Sequence, residues 1–246
     1  MNDLDQTKNV ITELGVKKVN KTLEAKMVLG FIAGAMIALG YVAYLKALSL
    51  NMNSFLAASL FPIGLIVILF AGGELITGNM MVVGTAYLNG KVTLKEMLVN
   101  WLHITIANIF GALFIVLICE KLNIFGVISD QLIKAAMVKT SDNWGQLIIS
   151  GMMCNWFVGL AVWLANAFKD GMGKIVGVWF PVMIFVFLGF QHSVANTFLL
   201  GGAYFLEAID LGSFLYNFVF SYVGNALGAL IFVSGFYTIS STSLKQ

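Results

Sequence analysis

The sequence predicts an all-α polytopic membrane protein with six transmembrane segments, arranged as two inverted three-helix repeats. Three features support this fold class: the composition, two apolar segments too long for one membrane helix, and an internal similarity. Of the 246 residues, 59% are apolar and 11% are charged, and the mean hydropathy is +0.91. These values are typical of a polytopic membrane protein rather than of a soluble domain.

Six apolar segments follow one another, and no strand is predicted. They are Met27–Leu45, Phe55–Leu88, Met97–Cys119, Gln146–Phe168, Ile175–Leu206 and Phe214–Thr238. We expect residues 27–240 to form one transmembrane domain between a cytoplasmic N-terminal segment, 1–26, and a cytoplasmic tail, 241–246. The N-terminal segment carries mixed charges and no apolar core, which favours a short amphipathic surface helix over a signal peptide.

The second and fifth segments are each predicted to contain a helix break. A continuous helix of either length would be about 50 Å long, against a hydrocarbon core of about 30 Å. The breaks are expected at Gly72-Gly73-Glu74 and around Gly189-Phe190-Gln191-His192. Irregular backbone at membrane depth is tolerated where it is buried in protein or lines a polar path. Broken helices in corresponding positions of two halves indicate a transport site.

The two halves of the chain resemble each other at a spacing of 117 residues, without a gap. Most matched residues are Gly, Ala or Asn, which control close helix approach and interhelical hydrogen bonds. The pairs include Gly34 with Gly151, Gly72 with Gly189, Asn79 with Asn196, Gly84 with Gly201, Asn100 with Asn217 and Asn108 with Asn225. This pattern indicates an internal duplication.

The distribution of lysine predicts the orientation, because the chain has no arginine. With the N-terminus inside, ten lysines fall in cytoplasmic segments and four in outer ones, which supports two cytoplasmic termini. Each repeat has three crossings, so the second half must be inverted relative to the first. The breaks would then meet near the middle of a cell (inner) membrane.

No motif for covalent chemistry is present. The chain has no Walker loop, metal-ligand cluster or nucleophile constellation, and Cys119 and Cys154 lie in apolar segments without partner spacing. We therefore expect no enzyme activity, no cofactor or metal, and no nucleic-acid partner.

Ionisable residues at the breaks are the first candidates for function. His192 lies in an otherwise uncharged stretch, where an ionisable group is costly and suggests a functional role. The alternative is a neutral histidine bonded to Thr77 or to freed backbone. Glu74 would repel an anion in a pore, so we expect it to accept hydrogen bonds from N–H groups freed where the helix restarts. Structural roles at the breaks are expected for Glu74, Gln191, Asn79 and Asn196.

Three motifs resemble those of the formate/nitrite transporter family. They are Phe61–Leu65 with Gly73–Asn79, then Cys154–Val158, and then Gly189–Asn196. The resemblance spans residues from about 27 to 238. It implies an aquaporin-like protomer in a homopentamer, with a pore in each protomer for small monovalent anions.

The resemblance also implies roles for particular residues. It suggests an outer constriction at Phe61 and Phe185, and a lysine facing the outer vestibule at Lys139. It further implies an inner constriction at Leu65, Ile76 and Val158, with Thr77, Asn155 and His192 between the two constrictions.

Two departures from the family pattern bear on the substrate. Many members have a glutamate where this chain has Gln191, and formate channels commonly have a phenylalanine where it has Ile76. Formate leads narrowly as the expected substrate, hydrosulfide follows because of these departures, and nitrite is third. We expect the anion to be attracted by Lys139 and helix-break N–H groups, and protonated near His192 so that it crosses as the neutral acid.

Two other classes are alternatives. An aquaporin-type pore for neutral solutes is disfavoured because paired Asn-Pro-Ala motifs and a selectivity-filter arginine are absent. A non-transporting structural or sensor membrane protein is the other alternative, and the expected transmembrane domain has no further cytoplasmic domain beside it.

Overall fold

The computed structural model describes residues 1–242 and, within them, an all-helical chain. The first half contains α1 (Leu4–Val19), α2 (Leu23–Ser49), α3 (Ser54–Ala58), α4 (Ile63–Ala71), α5 (Ile76–Leu88) and α6 (Leu94–Lys121). The second half contains α7 (Phe125–Thr140), α8 (Trp144–Ala167), α9 (Gly171–Phe187), α10 (Ser193–Phe205) and α11 (Leu211–Gly228). It ends with a π-helical turn (Ala229–Gly235) and α12 (Phe236–Thr242).

Five stretches of helix in the described residues are long and apolar enough to cross a membrane. They are Leu23–Ser49, Ser54–Ala71, Leu94–Lys121, Trp144–Ala167 and Leu211–Ser241. The fifth predicted segment consists of two shorter helices, of which α9 has 17 residues. The all-helical membrane fold is therefore confirmed, whereas the count of six spans and their inverted arrangement stay predictions.

Both helix breaks occur where the sequence predicts them. The first separates α4 from α5 and includes Gly72, which has a φ of 101°. The second separates α9 from α10 and includes Gly189, which has a φ of 75°. Only glycine adopts these positive φ values without a steric cost, so both glycines allow the chain to leave the helix sharply.

Two helices lie outside the predicted apolar segments. The N-terminal helix α1 was expected on the surface, but one of its faces is buried against α5, α6 and α8. Gly15 on that face leaves room for α5, since a Cβ there would lie 2.6 Å from the Val82 carbonyl oxygen. The 16-residue helix α7 was not predicted. Most of the predicted tail, 241–246, lies outside the described residues.

The two halves repeat one set of hydrogen bonds around their breaks. The Asn108 side chain accepts from the backbone N–H of Ile76 at 2.8 Å and donates to the carbonyls of Gly30 and Glu74. In the second half, the Asn225 side chain accepts from the N–H of Ser193 at 2.9 Å. It donates to the carbonyls of Gly151 and Gln191.

These bonds correct the register that the sequence predicts. The spacing of 117 holds from Ile68 and Phe185 onward, but the partner of Gly151 is Gly30 rather than Gly34, a spacing of 121. Lys18 and Lys139 follow the same spacing, because their carbonyls accept from Asn100 and Asn217 respectively. The prediction of a gapless repeat is therefore wrong. The first half has four more residues than the second before its break. Four residues are about one helical turn (3.6 residues), so an ungapped comparison still pairs residues that lie on the same face of the helix.

Candidate functional site

The two broken segments meet at a hydrogen bond between Thr77 and His192. Thr77 lies in the first turn of α5, and His192 is the N-cap residue of α10. The Thr77 Oγ1 and His192 Nε2 atoms are 3.0 Å apart, and both side chains are buried. The structure thus joins two residues that are 115 positions apart in sequence.

The second contact of His192 defines its tautomer. The backbone N–H of Ala195 donates to His192 Nδ1 at 3.1 Å, so Nδ1 must carry a lone pair. The neutral ring then has its proton on Nε2 and donates it to Thr77 Oγ1. Within the described residues, the Thr77 hydroxyl has no acceptor for its own proton.

Asn155 on α8 holds the backbone beneath this pair. Its side-chain nitrogen donates to the carbonyl of Asn225 at 2.7 Å and to that of Thr77 at 3.2 Å. Its Oδ1 atom is buried and has no hydrogen-bond partner among the described residues. A buried acceptor without a partner is costly in a protein interior, so this oxygen is available to a donor that enters the site.

Aromatic rings close one side of His192. The Phe185 ring stacks on the imidazole with 5.7 Å between ring centres, and Phe61 meets Phe185 edge to face at 5.8 Å. Tyr41 on α2 packs edge to face against Phe61. Phe61 and Phe185 therefore meet as the sequence predicts, one from each half of the chain.

The three predicted inner-constriction residues are buried on separate helices. Leu65 lies on α4, Ile76 begins α5 and Val158 lies on α8, each at most 2% exposed. Leu65 also lines a cavity next to the first break. None of the three faces outward, and their meeting as a slit stays a prediction.

A cavity of 330 Å³ borders the Phe61–Phe185 pair, and we call it the Lys139 cavity. Its lining includes Tyr41, Phe61, Lys139, Phe185 and His192. The Lys139 ammonium donates to the carbonyls of Gly189 and Phe190 at 2.6 and 2.7 Å, so α7 is tied to the second break. Two of the three ammonium protons are used there, which leaves one for the cavity.

A second cavity, of 380 Å³, lies at the first break, and we call it the Lys18 cavity. Lys17, Lys18, Lys21 and Lys174 line it, together with Glu74. The Lys18 ammonium and a carboxylate oxygen of Glu74 are 2.8 Å apart and form an ion pair. Lys18 is not a predicted site residue, because nothing in the sequence of a lysine-rich helix singles out the lysine that pairs with Glu74.

The role predicted for Glu74 needs correction. Its carboxylate accepts from Lys18 and from the Asn79 side chain at 2.8 Å, not from the restarting helix. The N–H of Ile76 is bound by Asn108 instead. An amide satisfies the helix start because it accepts from the N–H and also donates to nearby carbonyls, which a carboxylate cannot do.

The two cavities are built from corresponding positions of the two halves. Lys18 corresponds to Lys139, and Asn79 corresponds to Asn196. Other corresponding positions carry side chains of different chemistry. With the residue of the Lys18 cavity given first, the pairs are Leu75 with His192, Ile68 with Phe185, Val162 with Tyr41, Ala165 with Tyr44 and Lys17 with Val138. The Lys18 cavity is therefore the more basic of the two, whereas the Lys139 cavity is lined by aromatic rings and the His192 imidazole.

Comparison with known proteins identifies the family. The family model described as "Formate/nitrite transporter" matches residues 5–239. The chain is 39% identical to the "Uncharacterized transporter YrhG" of Bacillus subtilis, over 96% of this chain and 92% of that protein. It is 37% identical to the "Formate channel BtFdhC" of Bacillus thuringiensis, over 95% of this chain and 93% of that protein.

Two solved structures share the fold. One, described as an "FNT family ion channel", has a TM-score of 0.88 at 24% identity and covers 95% of this chain and 98% of that one. Another, described as a "Pentameric formate channel with formate bound", has a TM-score of 0.77 at 25% identity, over 91% of this chain and 98% of that one. The chain belongs to the formate/nitrite transporter family, as the sequence motifs indicated.

Proposed function

We propose that this chain is a homopentameric, proton-linked channel or transporter for formate. The main support for this proposal is the contact between His192 and Thr77. It joins the two helix breaks next to the Phe61–Phe185 pair and the Lys139 cavity. The apolar Phe61–Phe185 pair lies next to the neutral, polar Thr77–His192 pair. This arrangement suits the anion of a weak acid, which must be protonated before it can pass.

Anion capture would begin in the Lys139 cavity. A positive charge in a cleft with low-dielectric walls raises the local concentration of anions. The Lys139 ammonium is bound by two neutral carbonyls, so its charge is not cancelled by a direct ion pair among the described residues.

Protonation would follow beside His192. Moving a bare carboxylate into an apolar slit costs far more than moving its neutral acid, so the anion crosses when it gains a proton. His192 donates to Thr77, which leaves the Thr77 hydroxyl proton for a substrate oxygen. In this mechanism His192 orients and polarises Thr77, and the substrate takes up a proton from the aqueous solution that enters the cavity.

The slits would set the barrier on each side. Phe61 and Phe185 form the outer one, and Leu65, Ile76 and Val158 the inner one, with Asn155 between them. Hydrophobic constrictions of this kind restrict passage by dewetting. A neutral acid crosses them with a smaller desolvation cost than its anion does.

The assignment of sides rests on the lysine distribution. With both termini in the cytoplasm, the Lys139 cavity opens outward and the Lys18 cavity inward across the cell membrane. The two halves would then be inverted repeats around an axis in the membrane plane. The pentamer is proposed from the likeness to the pentameric formate channel.

Formate is favoured over the other anions by the relative named as a formate channel, which is 37% identical. Hydrosulfide is the second candidate, because Ile76 is smaller than the phenylalanine expected in formate channels and reshapes the inner slit. Nitrite is third. The aquaporin-type and sensor alternatives receive no support from relatives that are named as transporters and channels.

Uptake by proteoliposomes tests this proposal. Purified protein should accumulate labelled formate well above empty liposomes, faster at acidic than at neutral pH, and faster than nitrite or sulfide at equal concentration. Cross-linking should give a ladder of five bands. Sulfide uptake that exceeds formate uptake would favour the second candidate, and no uptake of any of the three would contradict the proposal.

A further inference from the structure

The two breaks differ in the charge of one corresponding residue. Glu74 follows Gly72-Gly73 in the first half, and Gln191 occupies the same place in the second. Each accepts a hydrogen bond from the asparagine five residues later, Asn79 at 2.8 Å and Asn196 at 2.6 Å. The remaining contacts of the two side chains are different.

The contacts of Gln191 fix the direction of its amide. Its Nε2 atom donates to a carboxylate oxygen of Asp142 at 2.8 Å and to the Lys139 carbonyl at 3.3 Å. Both of these groups can only accept, so the nitrogen must face them. Its Oε1 atom faces the side-chain nitrogens of Asn196 and Asn217.

A glutamate could not make these contacts. It would turn an oxygen toward the Asp142 carboxylate and toward the Lys139 carbonyl, which are both acceptors. Like charges at hydrogen-bond distance repel strongly in a partly buried site. Asp142, just beyond the end of α7, therefore dictates an amide at position 191.

The difference between Glu74 and Gln191 changes the hydrogen-bond partners of the nearby lysine. In the first half the Glu74 carboxylate pairs with Lys18 at 2.8 Å. In the second half, the carboxylate of Asp142 is bound to Gln191, and Lys139 donates to two backbone carbonyls instead. Lys139 and Asp142 do not form an ion pair within the described residues.

We propose that Asp142 is a positioning residue that fixes the orientation of the buried Gln191 amide and so keeps the Lys139 charge unpaired in its cavity. Among the described residues Asp142 is hydrogen-bonded to Gln191 and not to His192, so its effect on the site passes through Gln191. The cavity that contains the imidazole thus retains a stronger pull on anions than one lysine would exert next to a glutamate. The transport consequence rests on the proposed function, whereas the pairing itself does not.

A double-mutant cycle tests the pairing. Gln191→Glu should lower the melting temperature of the purified protein by about 5 °C, because it sets two carboxylates together and removes the N–H groups that the Asp142 carboxylate and the Lys139 carbonyl accept. Gln191→Glu combined with Asp142→Asn should recover most of that loss, since the amide introduced at position 142 can donate to the new carboxylate. Asp130→Asn, which neutralises an exposed carboxylate on α7, is the matched control and should melt like the wild type.

Transport by the same proteins tests the effect on Lys139. In the double variant the carboxylate at position 191 can pair with Lys139, so KM for formate at low salt should rise about tenfold, the scale of charge focusing in a cleft. The maximal rate should change less than KM, and Asp130→Asn should leave both unchanged. A purely structural role would not give this separation of KM from the maximal rate.

Each result decides the proposal. Equal melting temperatures of Gln191→Glu and the double variant would overturn the pairing, and a wild-type KM in the double variant would overturn the effect on Lys139. If Gln191→Glu does not assemble, assembly of the double variant supports the pairing and its failure contradicts it. If the wild type carries no formate, the proposed function fails, and the melting cycle still decides the pairing.

Discussion

Asn225 should be one of the most sensitive positions in the chain, because one side chain holds the second break together. It accepts from the Ser193 N–H at 2.9 Å and donates to the carbonyls of Gly151 and Gln191 at 2.9 and 2.8 Å. All three contacts are buried. Asn225→Ala removes them together and leaves the first N–H of α10 without a partner.

The expected loss follows from the number of bonds. Interhelical hydrogen bonds in membrane proteins contribute about 0.6–1.7 kcal/mol each, so three bonds give about 2–5 kcal/mol. For a chain of this size, about 2–4 °C of melting temperature corresponds to 1 kcal/mol. We therefore expect a decrease of about 4–20 °C for Asn225→Ala.

Two variants make the comparison specific. Asn108→Ala removes the corresponding bonds at the first break and should lower the melting temperature by a similar amount. Asn166→Ala removes only a half-buried bond from its side chain to the carbonyl of Val162 in its own helix and should have a small effect. Thermal unfolding in detergent, followed by intrinsic fluorescence, measures all three. If Asn225→Ala melts like Asn166→Ala, the break is not held by this side chain.

Four further predictions test the site and its electrostatics. His192→Asn should lower formate uptake at every pH, because Thr77 loses the ring N–H that orients it, and wild-type uptake by the folded variant would exclude this role. Lys139→Ala should lower uptake most at low ionic strength, since salt screens charges beyond about 8–10 Å; an equal loss at all salt concentrations would indicate a structural role. Leu65→Ala should widen the inner slit and raise anion conductance in planar bilayers, whereas wild-type conductance would show that the slit does not limit flux. Lys18→Met should destabilise by about 3–5 kcal/mol, because Glu74 is left buried and unpaired, and Glu74→Gln should rescue it; no rescue would contradict the ion pair.

The breaks were predictable because they violate simple rules of length and composition. Two nearly uncharged segments exceed the span of one helix, and each contains glycine where the structure has positive φ. The meeting of Thr77 with His192, and of Phe61 with Phe185, was within reach because family motifs mark the residues on both sides. These features are encoded locally or in recognisable patterns.

Helix α7 was missed although its sequence carries a signal. Phe125, Ile128, Leu132 and Ala136 recur at helical spacing, and all four are buried on one face. A search for long apolar segments overlooks a helix of this kind, because it has only 16 residues and is interrupted by Asp130 and Lys134. A search for helical periodicity in the connecting segments would have found it.

The remaining features depend on packing that the sequence does not reveal. The four-residue shift in the repeat preserves the helical face, so an ungapped comparison hides it. Lys18 differs from Lys17 and Lys21 in its ion pair with Glu74, which the sequence does not reveal. The amide at Gln191 is explained only when Asp142, 49 positions away, is found beside it.

The measurement that tests the account most directly is formate uptake by proteoliposomes at controlled membrane potentials, with pH held equal on both sides. If the substrate crosses the Phe61–Phe185 pair as the neutral acid, the initial uptake rate should be independent of the imposed potential. The lumen should also acidify in step with formate entry. Uptake that rises steeply when the lumen is made positive, without acidification, would show that the bare anion crosses and would contradict protonation beside His192.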